Sequence, residues 1–285
     1  MTQTSYPQID LSAWKQVGEG GNGAAYINEA EPGILLKVNT NDTSEQTIRE
    51  EYFTPKAVFE AGVPTPQMYE IVQVGDLYGV KCQSIRGKKS FARLCADDPS
   101  SIDALAAQMA QLLKEFHAKT VEDSEWIPSM RERMLKAAET TALVSGKAKE
   151  RLIEFVKAIP ESRNLLHGDL QMGNLILADD GKPYWIDLGR ATHGIPQFDL
   201  GHFYLFCNIF GRSARVQAIA HMTDKQMIQF WNTFAAAYNG PDNMDAFLSD
   251  CRKYAALDII LLGMIQKLSF SERFFLGTLA KKMLK

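Results

Sequence analysis

The spacing of apolar residues changes partway along the chain. Up to about residue 84 they come in short runs: Ala24-Ala25-Tyr26-Ile27, then Ile34-Leu35-Leu36 with Val38, then residues 67–74 and 77–84 joined at Gly75-Asp76. Runs of this length, bounded by Gly, Pro, Asn and Asp, read as strands. With a strand near Trp14 they predict a small five-stranded sheet. One helix interrupts them at about residues 43–61, with Asp42 as its cap, Glu45 three residues later, and Gly62 before Pro64 as its stop. Pro55 is expected to kink or split that helix. Beyond residues 84–90 the spacing turns helical. Ile102, Leu105, Ala106, Met109, Leu112, Leu113 and Phe116 share one face of a helix over 100–117, and Thr223-Asp224-Lys225-Gln226 is a capping box opening another through Tyr238. The pattern predicts an α+β protein in two parts, a small sheet-bearing one over residues 1–85 and a larger, mostly helical one over 86–285.

One string in the second part carries chemistry. Residues 167–187 begin His167-Gly168-Asp169, place Asn174 five residues after the aspartate, and end at Asp187 behind a short Tyr184-Trp185-Ile186 strand. Asp179-Asp180-Gly181-Lys182 reads as the turn of a hairpin that returns Asp187 toward Asn174. Mg²⁺ takes one or two carboxylate or amide oxygens plus substrate phosphates, which Asn174 and Asp187 supply. Asp169 is left to accept a proton from an attacking hydroxyl. Near the N-terminus, Gly18, Gly20 and Gly23, with Gly21 between, satisfy G-x-G-x-x-G. A dinucleotide site would need a helix to start there, but Pro32-Gly33 follows within ten residues, so the string reads as a loop between two strands over phosphates. Lys37 then interrupts the apolar run 34–38, a costly position for a lysine without a partner.

These motifs resemble the kinase-like phosphotransferases, in the branch of aminoglycoside and choline kinases, where the loop reads His-Gly-Asp-x-x-x-x-Asn and the metal site Ile-Asp-x-Gly. Here they are His167 to Asn174 and Ile186-Asp187-Leu188-Gly189. The resemblance covers about residues 14–210. It implies a protein-kinase-like two-lobed fold and transfer of the γ-phosphoryl of ATP, with Mg²⁺, to a hydroxyl of a small molecule; GTP stays open. It implies that Lys37 holds the α/β-phosphates and pairs with a glutamate on the following helix, Glu50 by alignment with Glu51 in reserve. The linker at Gln83 to Ile85 would hold adenine through its backbone, and Asp199 would tie the catalytic loop from below. Protein kinases carry arginine at the Gly168 position and a longer segment ending in Ala-Pro-Glu after the metal aspartate. This chain has neither, which argues against a protein substrate; a silent nucleotide-binding scaffold is the other rival, opposed by Lys37, Asp169, Asn174 and Asp187 all being present.

Composition narrows the partners. With 31 basic and 34 acidic residues no general nucleic-acid surface is expected. Cys82, Cys95, Cys207 and Cys251 show neither zinc nor disulfide spacing. The first ten residues do not read as a signal peptide and no apolar stretch is long enough for a bilayer, so a cytoplasmic enzyme without a membrane partner is expected. His117 and His167 read as structural residues near the loop, and His193, His202 and His221 as unrelated histidines. The run Arg86, Lys88, Lys89, Arg93 reads as a solvated face. Asp245, Asp250, Asp258 and Glu272 are acids that could meet a cationic acceptor, but surface acids are the commoner explanation.

Overall fold

The computed structural model describes residues 5–20, 23–40, 44–240, 243–265 and 268–284. The chain divides into two compact units, the first made of residues 1–88 with 176–190, the second of 89–175 with 191–285. The boundary therefore falls after Lys88 rather than Ile85. The hairpin carrying Asp187 groups with the first unit. Local strand pairing holds a hairpin to whatever it packs on, and Trp185 N–H donates to the Pro64 carbonyl at 2.8 Å.

In the first unit β1 (Lys15–Gly20), β2 (Gly23–Ile27), β3 (Ile34–Asn39), β4 (Met68–Val74) and β5 (Leu77–Gln83) form the expected five-stranded antiparallel sheet, in the order β1-β2-β3-β5-β4. Alternation along β3 sends Leu36 and Val38 to a cluster with Trp14 and Val72. Lys37 is sent to the opposite face. On β4 and β5, Ile71 and Val80, the latter opposite Lys37 in register, pack with Ile48 of α1 (Glu45–Glu60). That helix starts behind Ser44, whose hydroxyl accepts from Thr47 N–H; the expected cap Asp42 and first residue Thr43 lie outside the described residues. It runs through Pro55 without a break, contrary to expectation. The missing N–H removes only one rung, and the buried ring packs beside Thr54 and Val58. Gly62, at φ +80°, ends it as foreseen: Gly62 N–H donates to the Phe59 carbonyl and Val63 N–H to that of Val58, a Schellman closure.

The second unit opens with a two-residue strand, β6 (Lys89–Ser90), and α2 (Phe91–Asp97), followed by α3 (Ile102–His117), α4 (Met130–Thr140) and α5 (Lys147–Ala158). Strand β7 (Leu165–Leu166) leads to the His167 loop, after which β8 (Leu175–Leu177) and β9 (Pro183–Trp185) form the hairpin and β10 (Thr192–His193) pairs with β7. Then come α6 (Gln197–Tyr204), a π turn over Leu205–Ile209, α7 (Ala214–Ala220), α8 (Asp224–Asn239), α9 (Met244–Ile265) and α10 (Phe270–Met283). The capping box at Thr223 and Gln226 is present. A buried core of Met134, Ala137, Leu152, Val156, Leu257 and Ile260 joins α4, α5 and α9. Gly201 lets α6 meet α9 backbone to backbone, since a Cβ there would lie 2.5 Å from the carbonyl carbon and Cβ of Tyr254. Among the described residues no helix is long and apolar enough to cross a membrane.

Candidate active site

In the first unit the glycine string spans the β1–β2 hairpin, with Gly18 and Gly20 in β1 and Gly23 opening β2. A Cβ on Gly23 would stand 2.0 Å from the Val38 carbonyl oxygen, so the close approach of β2 to β3 requires glycine there. Gly21 lies outside the described residues. Lys37 Nζ stands 3.8 Å from Asp187 Oδ1, with side chains 43% and 57% exposed, so the lysine is not sealed in the sheet. Burial opposes its charge, but the carboxylate of Asp187, then Cys82 and Glu51, outweigh that and lift its pKa. Glu50 is not that partner. It faces solvent and accepts from Gln46 Nε2 at 2.9 Å, while Glu51, half-buried and one residue on, lies against Gly189 and reaches Lys37 through its charge, the ion-pair partner of Lys37 being Asp187. Adjacent helical positions differ by about 100° in direction, so only one of two neighbours can face the sheet.

Asp187 sits at φ +57°, a left-handed conformation that a short polar side chain tolerates. Lys88, placed in the sequence on a solvated basic face, is electrostatically part of this group: burial and the charge of Lys37 lower its pKa, while Cys82 and Asp187 act the other way. Gln83 N–H donates to the Gln67 carbonyl and Ser84 N–H to that of Gly33, both 2.8 Å, so these two donors of the expected adenine linker serve the sheet. Ile85, the last residue of that linker, has its side chain buried.

In the second unit the His167 loop hangs from one buried carboxylate. Asp199 of α6 accepts from His167 N–H at 2.7 Å and Gly168 N–H at 2.9 Å, and faces His117 Nε2 at 3.0 Å. Burial would raise its pKa, yet the hydrogen bond and charge of His117, with His167, hold it below the usual range. A carboxylate only accepts, so His117 Nε2 carries the proton, and Nδ1 meets the Tyr238 hydroxyl at 2.8 Å. This is the supporting place the sequence suggested for Asp199 and His117. Gly168, at φ +76°, makes the turn that an arginine would strain. Asn174 Nδ2 donates to the Asp169 carbonyl at 2.8 Å, which orients the amide and presents Oδ1 as an oxygen donor. Asp169 keeps its side chain one-third exposed, and Nε2 of His202 stands 3.4 Å from Oδ1.

His202 is the residue that sequence reading passed over. Its other nitrogen, Nδ1, lies 3.0 Å from Oδ2 of Asp258 on α9, so Asp258 is not a surface acid. Burial works against protonation of the ring, but the charge of Asp258 and hydrogen bonds to Asp169 and Asp258 outweigh it and push its pKa up to about 10. The available signal was Asp199 and His202 three residues apart on one helix, hence on one face. The remaining flagged acids are elsewhere: Asp250 pairs with Lys253, and Glu272 caps α10 through Ser269.

Each unit by itself carries a hard oxygen donor of the kind Mg²⁺ takes, the oriented Asn174 amide in the second and the exposed Asp187 carboxylate in the first. Among the described residues no group of three or more His, Cys, Asp or Glu could hold a metal.

Among the solved structures that share this fold are three aminoglycoside phosphotransferase structures. The apo form of a thermostable mutant of aminoglycoside phosphotransferase APH(4)-Ia is 15% identical, with TM-score 0.64, covering 96% of this chain and 94% of that one. A ternary complex of an APH(4)-Ia mutant with ADP and hygromycin B is 16% identical, TM-score 0.61, covering 96% and 93%. ADP-bound APH(2'')-Ib is 14% identical, TM-score 0.59, covering 95% and 94%. At such identities the likeness speaks for the fold. No curated protein sequence matches the chain. The model of the APH family, described as a phosphotransferase enzyme family, matches residues 14–231, a span that takes in the glycine string, Lys37, Asp169, Asn174 and Asp187. The chain belongs to that family of phosphotransferases.

Proposed function

We propose that the protein is an ATP-dependent kinase of a small molecule bearing a hydroxyl group, using Mg²⁺. The observation that carries this reading is the build of the His167 loop: Asp199 clamps its backbone, Asn174 is pinned to the Asp169 carbonyl, and the Asp169 carboxylate is left partly open to solvent. In the transfer, the acceptor oxygen forms a bond to the γ-phosphorus, the bond from that phosphorus to the β–γ bridging oxygen breaks, and ADP leaves with the electron pair. The acceptor proton passes to Asp169. Such transition states are loose, so the main service of the base is to aim the hydroxyl. Lys37, paired with Asp187 and within the field of Glu51, would bind phosphates, with the β1–β2 backbone over them. Asn174 and Asp187 would hold Mg²⁺, which when bound neutralises phosphate charge.

The acceptor class is read from the relatives: hygromycin B occupies one of them, and amino-sugars, amino-alcohols and sugars are the compounds to try. The test is ADP release from Mg-ATP above the acceptor-free rate. Asp169→Asn keeps the shape and removes the base, so transfer should fall roughly 10²–10⁴-fold while calorimetric Mg-ATP affinity stays within about threefold. Full activity in that variant refutes the mechanism, and a wild type that binds Mg-ATP but phosphorylates nothing supports a scaffold instead.

A further inference from the structure

We propose that His202, braced by Asp258, is a positioning residue for the carboxylate of Asp169, an inference that rests on the phosphotransferase reading above. Both ring nitrogens face carboxylates, Nδ1 toward Asp258 at 3.0 Å and Nε2 toward Asp169 at 3.4 Å. Because carboxylates only accept, the ring satisfies both when each nitrogen carries a proton. It is then an imidazolium between two anions. Its side chain is 18% exposed and that of Asp258 15%, while Asp169 is 32% exposed. The pair forms the inner end of the arrangement and Asp169 the outer one.

The rest of the fold supports this geometry. The two helices involved meet at Gly201, where any side chain would collide with the α9 backbone at Tyr254 and Ala255. That contact brings His202, the next residue, within reach of Asp258. The pair and Asp199 line one side of a small pocket whose other side is Met130, Phe198, Tyr254 and Leu261. One face of α6 thus serves the loop twice: Asp199 holds the backbone of His167 and Gly168, and His202 holds the side chain of Asp169.

The test uses the full-length protein with Mg-ATP and whichever of hygromycin B, amino-sugars, amino-alcohols or sugars it phosphorylates. His202→Gln and Asp258→Asn should each lower kcat roughly 10–100-fold, the size expected for a slightly misaimed reacting group, with KM for Mg-ATP within about twofold. Combined with Asp169→Asn, His202→Gln should add little further loss. Histidine ¹⁵N spectra of the wild type should show one imidazolium that persists above pH 8 and loses its proton at lower pH in Asp169→Asn; this measurement stands even if a substituted protein fails to fold. An active wild type whose kcat is unchanged by His202→Gln, losses that multiply with Asp169→Asn, or a His202 ring that titrates near 6.5 would each overturn the inference alone. A wild type that phosphorylates no acceptor overturns the proposed function, and this inference with it.

Discussion

At the scale of single residues, the charges around Lys37 are what the proposed phosphate role can be tested on. Glu51 influences Lys37 and Glu50 does not, so Glu51→Gln should raise KM for Mg-ATP several-fold and Glu50→Gln leave it near wild type. Steady-state kinetics on both variants checks this, and the reverse order would restore Glu50. Lys88 belongs to the same electrostatic group. Lys88→Met should weaken Mg-ATP binding severalfold, by calorimetry, with the loss shrinking at high salt as expected for a partly solvated cation. Both residues show where reading the chain stops. The spacing of Asp169, Asn174 and Asp187 is local and follows from three short segments, so it was legible. The choice between Glu50 and Glu51 depends on the phase of α1, set by a cap at Ser44 and not by the more obvious Asp42. Lys88 sits in a basic run whose members look alike until the fold separates them.

Among the elements, the contact of α6 with α9 is where stability and pH meet. His202 has a folded-state pKa near 10 against an ordinary 6.5. Its contribution is therefore complete below about pH 6.5 and declines as pH rises toward 10, because in that range the folded state keeps a proton that the unfolded chain has lost. One proton is worth roughly 1.4 kcal/mol per pH unit, so the wild type should lose about 2 kcal/mol between pH 6.5 and 8.5. His202→Gln should lose far less over the same interval. Denaturant titrations of both proteins at the two pH values make the comparison, and equal slopes would place the effect elsewhere. Staying below pH 8.5 matters, since burial pushes the thiols of Cys95 and Cys251 up to about 12 and they add their own loss once unfolded thiols ionise. The helices themselves, with their caps and apolar faces, were legible one by one. The pairing of His202 with Asp258 joins residues 56 apart in sequence, each bland in its own surroundings, and nothing local announces it.

For the whole molecule, ligand binding should register as stability. A ligand at about 100 times its Kd adds roughly 2.7 kcal/mol, so saturating Mg-ATP should raise the melting temperature by several degrees, and Asp187→Asn should remove most of that shift. Asparagine is the fitting replacement because the position needs a left-handed backbone, which alanine would strain. A full shift in the variant would take Asp187 out of the nucleotide site. The fold class was readable from the change of hydrophobic period near residue 90. The membership of residues 176–190 in the first unit was not, since a hairpin's own pattern says nothing about which sheet or helix it packs on. That membership bears on how the protein is made. A ribosome delivers residues 1–88 well before the segment that completes them, about a hundred residues later. At typical synthesis rates of ~5–20 residues per second, the five-stranded sheet waits roughly 5–20 s for the strand pair bearing Asp187. A nascent chain paused before residue 190 should carry the sheet without its acidic partner for Lys37, and so stay unable to profit from nucleotide in the cell until the first segment of the second unit, residues 89–175, has also emerged.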